Sequence, residues 1–149
     1  GEPGPLPAIK QGQVTFGSFN NYAKVGPRVV DLWASVLRAV PDSRLVMITV
    51  PTGEAQAALW ARFEALGVAR ERVVLYDRLD RARYVALFGT VDIALDPFPC
   101  NGGTTTCDAL WMGLPVVALA GNTFLSRASL SVLTASGLTE FAAADEAGY

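Results

Sequence analysis

From residue 14 onward the apolar positions follow two alternating rhythms. Short runs rich in Val, Ile and Leu are separated by longer segments whose apolar residues recur every three or four positions, the repeat of a helix packed on one face. Val14–Phe19 reads as the first strand. Pro27–Val40 reads as the first helix, with Pro27 in its first turn and Val29, Leu32, Trp33, Val36, Leu37 and Val40 along its stripe. Leu45–Val50 is the second strand, closed by Pro51-Thr52-Gly53, and Glu54–Leu66 the second helix, with Gly67 placed as a left-handed cap. Val73–Tyr76 follows as a strand, Asp80–Phe88 as a helix and Val91–Leu95 as the fourth strand. A helix from about Thr105 to Met112 stops at Gly113, and Pro115–Leu119 and Ser126–Ala135 complete the series, the latter capped near Gly137. The last residues, TEFAAADEAGY, begin another element. With no initiator Met, the chain reads as a piece of a longer one.

Strict alternation of strand and helix predicts an α/β domain with a parallel sheet and right-handed crossovers. In the doubly wound, Rossmann-like form the strand order is 3-2-1-4-5, and ligands bind beyond the carboxyl ends of the strands where that order reverses. The loops at that point are Gly17–Gly26 and Pro97–Thr105. Residues 1–13, rich in Pro and Gly, read as a linker, leaving 14–149 as the domain.

Composition narrows the chemistry. At 149 residues, 51% hydrophobic and 17% charged, the chain is one compact domain and not a disordered segment. A net charge of −2 gives no general attraction to nucleic acid or to an anionic membrane. No apolar run approaches the roughly 20 residues that span a bilayer, and the start lacks a signal-peptide core, so a cytoplasmic setting is the expectation. Histidine is absent, which removes Ser-His-Asp and Cys-His catalysis and histidine metal sites. Cys100 and Cys107 are too few for structural zinc and read as free thiols. No Asp-x-Asp pair offers itself for metal-dependent sugar transfer, so no metal and no resident cofactor is expected.

Candidate chemistry concentrates in Pro97–Asp108, PFPCNGGTTTCD. Gly102 and Gly103 let backbone approach a ligand closely. Thr104, Thr105 and Thr106 follow at a helix start, whose free N–H groups and dipole attract anions, although one of them could serve simply as the N-cap. Asp108, one turn on, offers acceptor oxygens suited to a sugar hydroxyl. In the opposite loop Lys24, one of two lysines beside ten arginines, would set a compact positive charge near a phosphate, or be an ordinary surface lysine. Asn20 and Asn21 could read a ligand or stabilise the turn. On the third helix Tyr84, Leu87 and Phe88 share a face. Leu87 and Phe88 fit core packing, and Tyr84 could stack on a base. Cys100 lacks a histidine to activate it as a nucleophile.

The pieces FGSFNNYAK, LDPFPCNGGTTTCDALWMGLPVV and GNTFLSRAS resemble the catalytic C-terminal lobe of the O-linked N-acetylglucosamine transferases, closest to the bacterial SPINDLY type with tetratricopeptide repeats. That resemblance runs from Val14 to the end. It implies the C-terminal lobe of a two-lobed GT-B glycosyltransferase, binding a UDP-sugar donor without a metal and inverting the sugar as it passes, N-acetylglucosamine being implied, to protein Ser or Thr. It places Lys24 on the diphosphate, Asn21 as a neighbouring polar donor-site residue, and Thr104 and Thr105 on the phosphates. Asp108 falls on the ribose, Leu79 and Arg81 in the segment that reads uracil, Tyr84 where animal enzymes stack a His on the base, and Cys100 beside the donor sugar. Gly102 belongs to the same loop. Gly103 stands where the family usually reads His, so one contact to phosphate or sugar is missing. A non-catalytic domain that keeps the fold and serves a nucleotide or a partner therefore stays open as the alternative. The acceptor protein would be held by a lobe or repeats outside this stretch, and this lobe alone is not expected to transfer sugar. A dinucleotide oxidoreductase is disfavoured, because no Gly-x-Gly-x-x-Gly follows the first strand.

Overall fold

Leu45 and Met47 point to one side of their strand and Val46 and Ile48 to the other, and both sides are buried. That double burial is why the strands read as continuous apolar runs and not as alternating ones. The computed structural model describes residues 4–149. Its strands are β1 (Thr15–Ser18), β2 (Arg44–Met47), β3 (Val73–Leu75), β4 (Ile93–Leu95), β5 (Val116–Leu119) and β6 (Ala142–Ala143). All pair in parallel, in the order β3-β2-β1-β4-β5-β6. The expected doubly wound order is present, extended at one edge by a sixth strand.

The strands end earlier than the apolar runs. Phe19, Ile48 and Val50 stay buried while their backbones leave the ladder for the loops, so a hydrophobic run overstates strand length at its carboxyl end. Strand β6 is two alanines long and carries no β-branched signal of its own.

The helices are α1 (Pro7–Gln11), α2 (Pro27–Ala39), α3 (Glu54–Ala65), α4 (Arg81–Phe88), α5 (Thr104–Trp111) and α6 (Ala128–Ala135). Gly26 and Pro27 start α2, which buries Val29, Val30, Leu32, Trp33, Ala34 and Leu37. One core joins this face and Leu59 and Phe63 of α3 to Phe16, Leu45, Met47, Val73 and Leu95 of the sheet. A second core, on the opposite face, joins Val46, Ala94 and Val116 to Phe88 of α4 and Ala109 of α5. Asp80 caps α4 by accepting from Arg83 N–H at 2.9 Å. The turn Leu125–Arg127 that precedes α6 is a 3-10 helix, so the regular helix starts two residues later than the pattern suggests.

The stretch expected as a linker contains α1, whose Ala8 N–H donates to Asp92 Oδ1 at 2.8 Å; Asp92 Oδ2 accepts from Thr15 N–H, also at 2.8 Å. Residues 1–3 of that stretch lie outside the described residues.

Candidate functional site

Strand β1 has β2 on one side and β4 on the other, so the chain order reverses between β1 and β4 and their carboxyl-end loops face one another. After β1 a 3-10 turn, Tyr22–Lys24, swings Lys24 across that gap. Its Nζ donates to Asn101 O of the β4 loop at 2.9 Å and to Asn20 Oδ1 at 3.2 Å. Asn20 Oδ1 also accepts from Thr105 Oγ1 at 3.0 Å, which ties the first loop to helix α5. Lys24 and Thr105, placed on one ligand by resemblance, are thus joined through a single amide oxygen.

The two neighbouring asparagines divide the work unevenly. Asn21 Oδ1 accepts from Ala23 N–H at 3.0 Å and caps the 3-10 turn. Asn20 is buried at the centre of the network. Beneath them Thr49, in the left-handed region at φ 60°, accepts from Tyr22 N–H at 2.8 Å and donates to Asn20 O at 3.2 Å. A β-branched residue there is strained, and its hydroxyl holds the first loop from below.

The three threonines separate because each helical step rotates the side chain by about 100°. Thr104 is exposed, Thr105 turns to Asn20, and Thr106 is buried with Oγ1 2.9 Å from Ser129 Oγ. None is the N-cap; Gly103 is, with no side chain to cap with. The first intrahelical bond runs from Cys107 N–H to Gly103 O, so the N–H groups of Thr104, Thr105 and Thr106 lie ahead of it at the positive end of the helix.

Asp96, the residue after β4, is the part of this site that sequence reasoning missed. It is 1% exposed. Its Oδ1 accepts from Gly102 N–H at 2.7 Å and from Asn20 Nδ2 at 3.4 Å. Ser129 Oγ on α6 is 2.8 Å from Oδ2 and 3.1 Å from Gly102 O, with its one proton available to either. Burial pushes the Asp96 carboxyl up to about 6, against the pull of the Ser129 and Gly102 hydrogen bonds and of the Lys24 charge. The Asp96 carbonyl accepts from the Tyr149 hydroxyl at 3.0 Å, which itself accepts from Trp33 Nε1 at 3.1 Å. Burial raises the Tyr149 phenol well above its usual range.

Gly102 and Gly103 are adjacent and unlike. A β-carbon on Gly102 would meet Thr105 Oγ1 at 2.7 Å and Asp96 Oδ1 at 2.8 Å, and Thr106 Oγ1 closer still. One on Gly103 would meet nothing within 4 Å. Glycine is a steric requirement at the first position and not at the second.

Toward α4 a second group assembles. The Tyr84 ring sits edge-on to Phe88 at 5.1 Å and to Phe19 at 6.0 Å, and its hydroxyl donates to Asp108 Oδ2 at 3.0 Å. Burial and the Asp108 carboxylate both raise the Tyr84 phenol. Leu79 packs against the same core and Arg81 is exposed at the start of α4. Cys100 is half-buried and Cys107 exposed, both free thiols.

Between the loops lies a crevice of about 10 Å³, lined by Asn20, Asp96, Thr105 and Thr106 among others. The space is filled by hydrogen-bonded side chains, and the outward-facing groups form a shelf. A groove of about 440 Å³ opens beside it, lined by Arg28, Phe98, Pro99, Thr123 and Glu146 among others. Among the described residues no cluster of three or more His, Cys, Asp or Glu is placed to hold a metal ion, and no helix is long and apolar enough to cross a membrane.

The family model described as glycosyl transferase family 41 matches residues 7–149. The chain is 40% identical over 148 residues to the probable UDP-N-acetylglucosamine–peptide N-acetylglucosaminyltransferase SPINDLY of Arabidopsis thaliana, covering 97% of this chain and 16% of the relative. It is 30% identical over 131 residues to the similarly named SEC protein of the same plant, covering 87% of this chain and 13% of the relative. Among solved structures, a mutant of the Thermobaculum terrenum O-GlcNAc transferase superposes with a TM-score of 0.90 at 38% identity, over 99% of this chain and 29% of that one. The chain thus spans less than a third of the length of the proteins it matches, and its fold is that of the C-terminal lobe of a GT-B enzyme. On the match over residues 7–149 and the superposition together, the chain belongs to glycosyl transferase family 41.

Proposed function

We infer that this domain is the donor-binding lobe of a glycosyltransferase that moves a sugar, N-acetylglucosamine, from a UDP-sugar to Ser or Thr hydroxyls of proteins. The observation that carries the reading is Lys24, held by Asn101 O and Asn20 Oδ1 directly beside the open N-terminus of α5. A cation and a helix dipole converge there on one anion-sized place.

The chemistry follows from that convergence. In an inverting transfer the acceptor oxygen forms a bond to the anomeric carbon as the bond from that carbon to the β-phosphate oxygen breaks. Negative charge then grows on the leaving diphosphate. Lys24 and the Thr104 and Thr105 N–H groups are positioned to receive it, fixed before the reaction by the Asn20 link. The reading is metal-independent because these groups supply the positive charge that a metal would otherwise supply. Asp108, with Oδ1 left free by the bond from Tyr84 to Oδ2, would take the ribose hydroxyls. Acceptor recognition belongs to parts of the protein beyond this lobe.

Calorimetric titration of the full-length protein with UDP tests this. Binding is expected, weakened about tenfold or more by Lys24→Ala, the loss of a charged hydrogen bond. No heat at millimolar UDP from folded protein would remove the donor-site reading. A second reading, a domain that binds nucleotide without transferring sugar, is favoured by Gly103, which faces open space at the position where the resemblance implies a His. Sugar transfer by the full-length protein separates the two.

A further inference from the structure

Asp96 combines three properties that a strand-end acid has no need of: near-complete burial, both carboxylate oxygens engaged, and partners drawn from three separate parts of the chain. Gly102 N–H belongs to the turn that launches α5, Asn20 to the loop after β1, and Ser129 to α6. Two of these carry the network further. Asn20 carries Lys24 and Thr105 on its other amide atom, and Ser129 Oγ lies against Thr106. We propose that Asp96 is a positioning residue for the donor diphosphate, holding the Gly102 turn and the Asn20 amide so that Lys24, Thr105 and the α5 N-terminus converge on one place.

The proposal rests on the donor-site reading above and names a residue that would never touch the ligand. Its logic is that of oriented acceptors. Asn20 can present Oδ1 to Lys24 and Thr105 only if its amide nitrogen faces the other way, and Asp96 Oδ1 is the acceptor on that side. Fixing the Gly102 amide on the same oxygen sets the entry of the chain into α5, and so the direction of the N–H groups that follow it. A negative charge beneath an anion site would oppose binding if it faced the ligand. Here the carboxylate is 1% exposed, both its oxygens are engaged by the Gly102, Asn20 and Ser129 donors, and the Lys24 charge opposes its own. The close contacts that a β-carbon on Gly102 would make with Asp96 and Thr105 show how tightly the turn is drawn onto this carboxylate.

The test compares UDP with uridine as probes on the full-length protein. Asp96→Ala should lower UDP affinity at least tenfold and leave uridine affinity within twofold, because only the diphosphate arm is misplaced. Asp96→Asn, which keeps an oxygen for Gly102 N–H, should recover most of the loss. If Asp96→Ala does not fold, Ser129→Ala reads the same coupling: its UDP affinity should fall severalfold with uridine unchanged. An unchanged ratio of UDP to uridine affinity in a folded Asp96→Ala or Ser129→Ala protein overturns the positioning role. So does a parallel fall for both probes, which reports general damage. Wild-type protein that binds no UDP takes down the donor-site reading itself; wild-type binding with an unchanged variant ratio takes down only this proposal.

Discussion

The Tyr84 hydroxyl donates to Asp108 Oδ2 at 3.0 Å, joining helices α4 and α5 at the end of the shelf away from Lys24. The ring packs T-shaped against Phe19 and Phe88, so the hydroxyl is the group through which this tyrosine meets Asp108.

Removing only that oxygen should therefore be felt. Tyr84→Phe keeps the ring contacts and is expected to weaken UDP binding roughly fivefold, the worth of one hydrogen bond that orients Asp108. Calorimetry reads this directly, and an affinity equal to wild type would leave stacking as the sole role of the ring.

Gly102 and Gly103 should answer very differently to the same change. Gly102→Ala forces a β-carbon into Thr105, Thr106 and Asp96, and overpacking of this kind costs about 1–3 kcal/mol. Gly103→Ala enters open space and should leave the melting temperature near wild type. Gly103→His, which restores the side chain implied by the family, should fit and tighten UDP-sugar binding. Equal thermal shifts for the two alanine variants would contradict the contacts at Gly102.

Asp96 gives the fold a pH signature. Its folded-state value of about 6 lies above the ordinary 3.8, so the protonated form is the one the fold favours. The stability this contributes is complete below about pH 4 and is lost as pH rises through about 6, for an amount of about 3 kcal/mol. Of the groups facing it, Lys24 from the first loop favours the charged form and Tyr149 meets its carbonyl; Asn20, Gly102 and Ser129 are neutral. Urea unfolding of Asp96→Asn should show the variant gaining stability over wild type at pH 7.5, with the gap closing toward pH 4. A gap independent of pH would place the charge cost elsewhere.

Sequence pattern reached the sheet order and both site loops because each depends on local signals: periodic apolar residues, Pro27 at a helix start, Gly102-Gly103 before another. It placed Lys24 and Thr105 at one site, and they are linked there through Asn20. It did not reach Asp96, since an acid after an apolar strand is locally unremarkable and its partners lie 6, 33 and 76 residues away. Asn20 and Asn21 are indistinguishable as neighbours in a turn, and only burial tells the hub from the cap. The threonine triplet reads as one feature in sequence and becomes three once the helix turns each side chain a different way.

Lys24 has consequences in the resting state. It is held by an amide oxygen and a backbone carbonyl, and none of the ion pairs among the described residues involves it. On the donor-site reading proposed above, an arriving diphosphate would have no carboxylate to displace from the Lys24 ammonium. If the donor-site reading holds, capture and release are both eased at the expense of discrimination: any small dianion, inorganic phosphate included, would meet the same cation, and inorganic phosphate is expected to compete with UDP in the titration.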